Sequence, residues 1–171
     1  LSKRNVTGVY SKGNYFSANT VVSNIDVYYV YKNLLNMPNY LSRFPREDRS
    51  TSAIVFYWGI KKKFDQLSLH NIFFASDYKN EFKEIKNSQD VQSDPTIYIN
   101  ITSKHISSDA PKNCENWFVM INVSHDKGQE WNKIVQNART KIKQKINTIL
   151  KTNIDKFIDY ENYMDPNKIE L

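Results

Sequence analysis

The stretch Thr51-Ser-Ala-Ile-Val-Phe-Tyr-Trp-Gly-Ile60 decides how this chain is read. It is almost continuous in β-branched and aromatic residues, the side chains that fit a pleated surface, and such runs are often buried on both faces of a sheet. A central strand over 51–60 is therefore expected. Outward toward the C-terminus, 70–75 reads as a second strand, and Asp77 caps a helix carrying Tyr78, Phe82 and Ile85 at helical spacing. Asp94-Pro95 makes a turn before 96–102, which alternates between faces, and Asp109-Ala-Pro111 makes another before the strand 117–123. Residues 129–151 form the longest helix, with apolar side chains at 131, 134, 135, 138, 142, 146, 149 and 150. A last strand is expected over 157–164.

Outward toward the N-terminus, Val6-Thr-Gly-Val-Tyr10 and Tyr15-Phe-Ser-Ala18 flank Ser11-Lys-Gly-Asn14, turn chemistry that joins a β-hairpin. Thr20-Val-Val-Ser23 reads as a short apolar strand. Asp26 can cap a helix running to about Asn36, with Tyr29, Val30, Leu34 and Leu35 inward, and Pro38 and Pro45 interrupt regular structure beyond it. The sum is an α+β fold, a mostly antiparallel mixed sheet with helices packed on one face.

The 171 residues suffice for one well-filled core, and 40% hydrophobic with 25% charged residues is the balance of a globular chain. Only four glycines occur, against roughly a dozen at average usage, while eleven tyrosines help raise the aromatic share to 13%. The net charge of +6 would suit a nucleic acid or an anionic membrane. The lysines are spread along the chain, however, with Lys61-Lys62-Lys63 as the one run, and no groove-reading motif accompanies them, so nucleic acid is set aside. Lys133, Arg139, Lys141, Lys143, Lys145 and Lys151 make one side of the long helix basic. That side is read as a solvated face, with contact to anionic lipid head groups as the sharper alternative. The single Cys114 excludes an internal disulfide and fits a reducing, cytoplasmic compartment. No apolar run is long enough to span a bilayer, which leaves peripheral association open.

Most chemistry is missing. Gly8, Gly13, Gly59 and Gly128 are too scattered for a dinucleotide-binding turn, a P-loop or a nucleophile elbow. His70, His105, His125 and Cys114 share no metal-ligand spacing, and no catalytic residue is assigned. Glu81 with Glu84, and Asp155 with Asp159, could share a helix side and are read as solvent-facing. His70, opening a strand, is read as structural. The aromatic set Phe56, Tyr57, Trp58, Phe73, Phe74, Tyr98, Trp117 and Phe118 could wall a tunnel for a long hydrophobic ligand, with core packing the ordinary alternative.

Several segments in order resemble the phytoene dehydrogenase family of FAD-dependent, amine-oxidase-like carotenoid desaturases. Ala18-Asn-Thr-Val-Val-Ser-Asn-Ile-Asp26 resembles the family's Ala-Asp-x-Val-Val-Ser-Asn-Ala-Asp stretch. Ser52 to Gly59, His70-Asn-Ile-Phe-Phe74, Asp77-Tyr78, Asp94-Pro95, Ala110-Pro111, Cys114-Glu115, Trp131, Asp165-Pro166 and Ile169-Glu170 come in the family's order. Asn113 stands where the family usually has Gly, which Asn tolerates at positive φ; Ile25, Lys86 and Ser124 are further departures. The resemblance implies an interior piece of an enzyme that inserts double bonds into a C30 or C40 polyene. It implies FAD in the parent protein, none bound by this piece alone, and the rest of the parent chain as partner. Residues 1–25 would be the trailing edge of the FAD-binding domain, with Ser23, Asn24 and Asp26 nearest the cofactor. Residues 26–171 would be the substrate-binding domain, with Phe56, Tyr57, Trp58, Phe73, Tyr98 and Phe118 walling the polyene. The alternative is a stand-alone module that binds apolar ligands or membrane surfaces.

Overall fold

The computed structural model describes residues 5–43 and 50–169 and divides the chain into two units, Leu1–Arg49 and Ser50–Leu171. Pro45 and Glu170 lie outside the described residues.

In the first unit β1 (Gly8–Ser11) and β2 (Asn14–Ser17) pair antiparallel, with Ser11 opposite Asn14. The two intervening residues, Lys12 at φ 49 and Gly13 at φ 80, have the doubly positive φ of the tight turn whose twist matches a hairpin. The strand expected over 20–23 does not form; Val22 is 91% exposed. A strand exists through its ladder, and the sheet of this unit holds β1 and β2 alone among the described residues. Asp26 does cap a helix, its Oδ1 accepting the Tyr28 N–H at 2.8 Å. After α1 (Val27–Tyr29) the coil widens into a π-turn, Val30–Leu34. The wider turn breaks the 3.6-residue spacing, which is why Leu34, expected inward, is 60% exposed.

The second unit contains β3 (Ser52–Ile60), β4 (His70–Phe73), α2 (Tyr78–Asn87), β5 (Ile97–Asn100), β6 (Glu115–Val123), α3 (Trp131–Leu150), β7 (Ile158–Met164) and α4 (Pro166–Ile169). The five strands run in the order β4-β5-β6-β3-β7, every neighbouring pair antiparallel, so the α+β class expected from the sequence is the one observed. Along β6, Glu115, Trp117, Val119, Ile121 and Val123 are buried and the residues between them half-buried, the alternation of a sheet covered on one side. On the covered side Ile54, Phe56, Trp58 and Ile60 of β3 join one core with Ile134, Ala138, Ile142 and Ile146 of α3. The stripe of α3 is 3.6-periodic and its 20 residues reach roughly 30 Å, enough to cross the sheet. The expected burial of β3 on both faces holds only in part: on the side away from α3, Val55 is buried at 7% exposure but Tyr57 is 38% exposed. In an antiparallel sheet one helical layer can satisfy one face and leave the other bare.

Asp77 caps α2 as expected, accepting the Asn80 N–H at 2.9 Å, and the left-handed position at Asn113 (φ 63) is where the sequence tolerates it. Glu81, read as solvent-facing, is buried. Its carboxylate accepts the Thr96 N–H and the Thr96 hydroxyl, each at 2.6 Å.

Candidate functional site

The side of the sheet that α3 leaves bare, where Ile72 and Tyr57 are exposed and Val55 is buried, is built by register. Pairing places Ile72, Tyr98, Met120, Val55 and Met164 in one row across the five strands, and His70, Asn100, Phe118, Tyr57 and Asn162 in the next. With neighbouring strands about 4.8 Å apart, each row is roughly 19 Å long. Its aromatic members meet edge to face: Tyr57 and Phe118 have centroids 5.7 Å apart, and Tyr98 and Phe118 are 6.3 Å apart. The polar atoms of this face are largely spent on one another. The Tyr98 hydroxyl lies 2.8 Å from His70 Nδ1, Asn100 Nδ2 donates to the Leu69 carbonyl at 3.1 Å, and the Tyr57 hydroxyl donates to Met164 Sδ at 3.6 Å. Seven of the ten row members are apolar or aromatic, and the three polar ones, His70, Asn100 and Asn162, lie in the second row.

Of the six wall residues expected from sequence, Tyr57, Tyr98 and Phe118 meet on this face. Phe56, Trp58 and Phe73 lie on the opposite face, in or against the core beneath α3. Alternate residues of a strand cannot share a side, so Phe56 and Trp58 point away from Tyr57. The Trp58 indole donates to Glu161 Oε2 at 2.7 Å, and the Arg139 guanidinium, over the Phe56 ring at 5.3 Å, donates to Glu161 Oε1. Ile72, Met120 and Met164 were not singled out from sequence; period-2 counting within each strand could have assigned their side.

Ser23, Asn24 and Asp26 fall in the first unit and are exposed. Ser23 Oγ accepts the Ile25 N–H at 3.3 Å, and Asp26 caps α1. Among the described residues no glycine-rich turn leads into a helix N-terminus: Gly13 and Gly128 sit in turns and Gly59 within β3. These residues form no pyrophosphate cradle by themselves.

Four of the six residues read as the basic side of α3 are engaged within the protein, while Lys133 and Lys151 are exposed. Arg139 pairs with Glu161 at 2.7 Å, Lys143 with Asp155 and Lys145 with Asp94, both at 2.6 Å. Lys141 donates to the carbonyls of Val91 and Gln92. Burial alone would push the Asp94 carboxyl up, but the Lys145 ammonium together with the Ser76 N–H and hydroxyl outweighs it and holds the pKa at about 2. Glu84 is likewise held below the usual carboxylate range, first by the Ser93 N–H and then by the Ser93 hydroxyl. Asp155 and Asp159, read as one helix side, lie instead on a 3-10 turn and on β7. Among the described residues no group of His, Cys, Asp and Glu converges as metal ligands do, and no helix is long and apolar enough to cross a membrane.

A five-stranded antiparallel sheet with α3 across one face, and Tyr57, Tyr98 and Phe118 together on the other, defines an α+β domain. The chain belongs to the carotenoid desaturase family, of the phytoene desaturase type. It is 46% identical over 169 residues to a 1-hydroxycarotenoid 3,4-desaturase of Flavobacterium sp. (strain P99-3), covering 99% of this chain and 35% of that relative. It is 30% identical over 152 residues to a phytoene desaturase of Fusarium fujikuroi, covering 77% of this chain and 27% of the relative. It is also 30% identical over 174 residues to a 4,4'-diaponeurosporene oxygenase of Staphylococcus aureus (strain bovine RF122 / ET3-1), covering 99% and 35%. The chain thus spans about a third of the length of the curated relatives it matches. No family model matches it.

Proposed function

We propose that this chain is the substrate-facing part of a carotenoid desaturase, and that a long acyclic polyene lies against the bare face carrying Tyr57, Tyr98 and Phe118. The observation that carries the reading is the convergence of these three rings, from three neighbouring strands, on a side of the sheet that α3 does not cover. The whole enzyme would be an FAD-dependent oxidoreductase acting on CH–CH bonds, with the flavin accepting the hydride. Residues 1–25 would be the edge of the flavin domain, with Ser23, Asn24 and Asp26 nearest the cofactor, and 26–171 the substrate-binding domain. The rest of the parent chain would supply the flavin cradle, so the piece alone would be inactive. What this chain contributes is binding and orientation: flat rings pack along the conjugated chain.

The test is steady-state desaturation by the full-length protein with the polyene in detergent. Phe118→Ala removes the ring at the centre of the face. Losing the burial of one aromatic side chain, on the order of 1.5–3 kcal/mol, corresponds to a KM raised roughly tenfold to a hundredfold. An unchanged KM and kcat would remove the polyene from this face.

A further inference from the structure

We propose that Phe74, Tyr78 and Phe82, with Lys79, Lys83 and Lys86, form a docking patch for an anionic lipid surface. Phe74 follows β4, and the other five lie on α2. The three aromatic residues are 62%, 50% and 48% exposed, yet they touch one another, with ring centroids 5.7 Å apart for Phe74 and Tyr78 and 5.0 Å for Tyr78 and Phe82. Ile85 and Glu81 are the residues of α2 buried inside the protein. At about 100° per residue, the helix surface runs from buried Ile85 through Tyr78 and Phe82 to Lys86, Lys79 and Lys83. An aromatic band is thus bordered by a band of cations.

The charges distinguish this patch from α3. The cations Arg139, Lys143 and Lys145 of α3 are held in ion pairs, whereas Lys79, Lys83 and Lys86 are exposed and form none with a described residue. The carboxylates of α2 are not paired with these lysines, because Glu81 is turned to Thr96 and Glu84 to Ser93 and Asn80. A protein partner would have to bring carboxylates for these lysines around an apolar centre. A bilayer surface supplies both at once: anionic head groups for the ammonium groups, and the head-group boundary in which Tyr and Phe rings settle. Ile72, 52% exposed and on the bare face, precedes Phe74 by two residues, so the patch leads toward the proposed polyene wall. The inference rests on that reading only for what the membrane would deliver.

The experiment is cosedimentation of the full-length protein, at low salt, with vesicles of phosphatidylcholine and phosphatidylglycerol, and with vesicles of phosphatidylcholine alone. The wild type is expected to sediment with the anionic vesicles. Lys79→Glu with Lys83→Glu and Lys86→Glu is expected to bind at least roughly a hundredfold more weakly, since each basic residue at such a surface is worth about 1 kcal/mol. Phe74→Ser with Tyr78→Ser and Phe82→Ser is expected to lose binding independently. Lys133→Glu with Lys151→Glu, on α3, is expected to bind as the wild type does. The proposal is overturned if the wild type does not sediment, if both patch variants bind as the wild type does, or if the α3 variant loses as much as they do. Desaturation of a polyene in detergent separates the two readings. Turnover there without vesicle binding removes the docking patch and leaves the enzyme, while vesicle binding without turnover removes the enzyme reading and leaves the patch.

Discussion

Glu81 is tied to Thr96 twice, through the Thr96 N–H and its hydroxyl, each at 2.6 Å, and the same hydroxyl accepts the Ala75 N–H at 3.0 Å. One buried carboxylate therefore joins α2 to the start of β5 and the end of β4. Glu81→Ala leaves the part-buried Thr96 N–H without its acceptor, and a loss of about 1–3 kcal/mol is expected in urea unfolding. Glu81→Gln, which keeps one acceptor oxygen, is expected to lose about half as much.

Asp94 gives the fold a dependence on acid. Its pKa is lowered from 3.8 to about 2, so its contribution is fully present above the unfolded value and is lost as pH falls from about 4 through 2. The side chain is 40% exposed, and solvent screening limits the contribution to about 1 kcal/mol. Asp94→Asn is expected to lower the urea midpoint near neutral pH, with its difference from the wild type vanishing toward pH 2. A constant difference across that range would remove the carboxylate as its source.

The two faces of the sheet predict opposite phenotypes for neighbouring rings. Phe56 is fully buried under α3, and Phe56→Ala is expected to cost about 3–5 kcal/mol of stability. Phe118 is half-buried on the bare face, and Phe118→Ala is expected to cost about 1–2 kcal/mol, with its main effect on polyene KM. Urea unfolding of both variants beside the desaturation assay checks the contrast.

Trp58 and Arg139 meet through Glu161, each donating to a different carboxylate oxygen at 2.7 Å. A double-mutant cycle of Trp58→Phe and Arg139→Met is expected to show coupling of about 0.5–3 kcal/mol, because removing either donor changes the carboxylate the other uses. Additive effects would mean that the two bonds act separately.

Much of the architecture is legible in the chain because its signals are local. The β-branched and aromatic run at 51–60 yields β3, and the 3.6-residue stripe at 131, 134, 135, 138, 142 and 146 yields the buried side of α3. Asp26 and Asp77 announce the helices they cap, since a cap acts within three residues. Where a local signal needed a distant partner, it misled. Among the described residues the apolar 20–23 run pairs with no strand, and the π-turn after Tyr29 carried Leu34 outward.

Amino-acid order alone determined most element types of the second unit and the family, and its period of two sets Tyr57 opposite Phe56 and Trp58. Which of those faces would be covered was decided by where α3 came to rest, and alternation is silent on that because both faces of β3 are aromatic. The fate of the charges was decided the same way. Lys145 meets Asp94 across 51 positions, Lys143 meets Asp155, and Glu81 turns inward to Thr96, while Lys79, Lys83 and Lys86 stay in solvent. An ion pair forms over a few ångströms of space whatever the separation along the chain, so only the folded structure separates the engaged cations of α3 from the solvent-facing ones of α2.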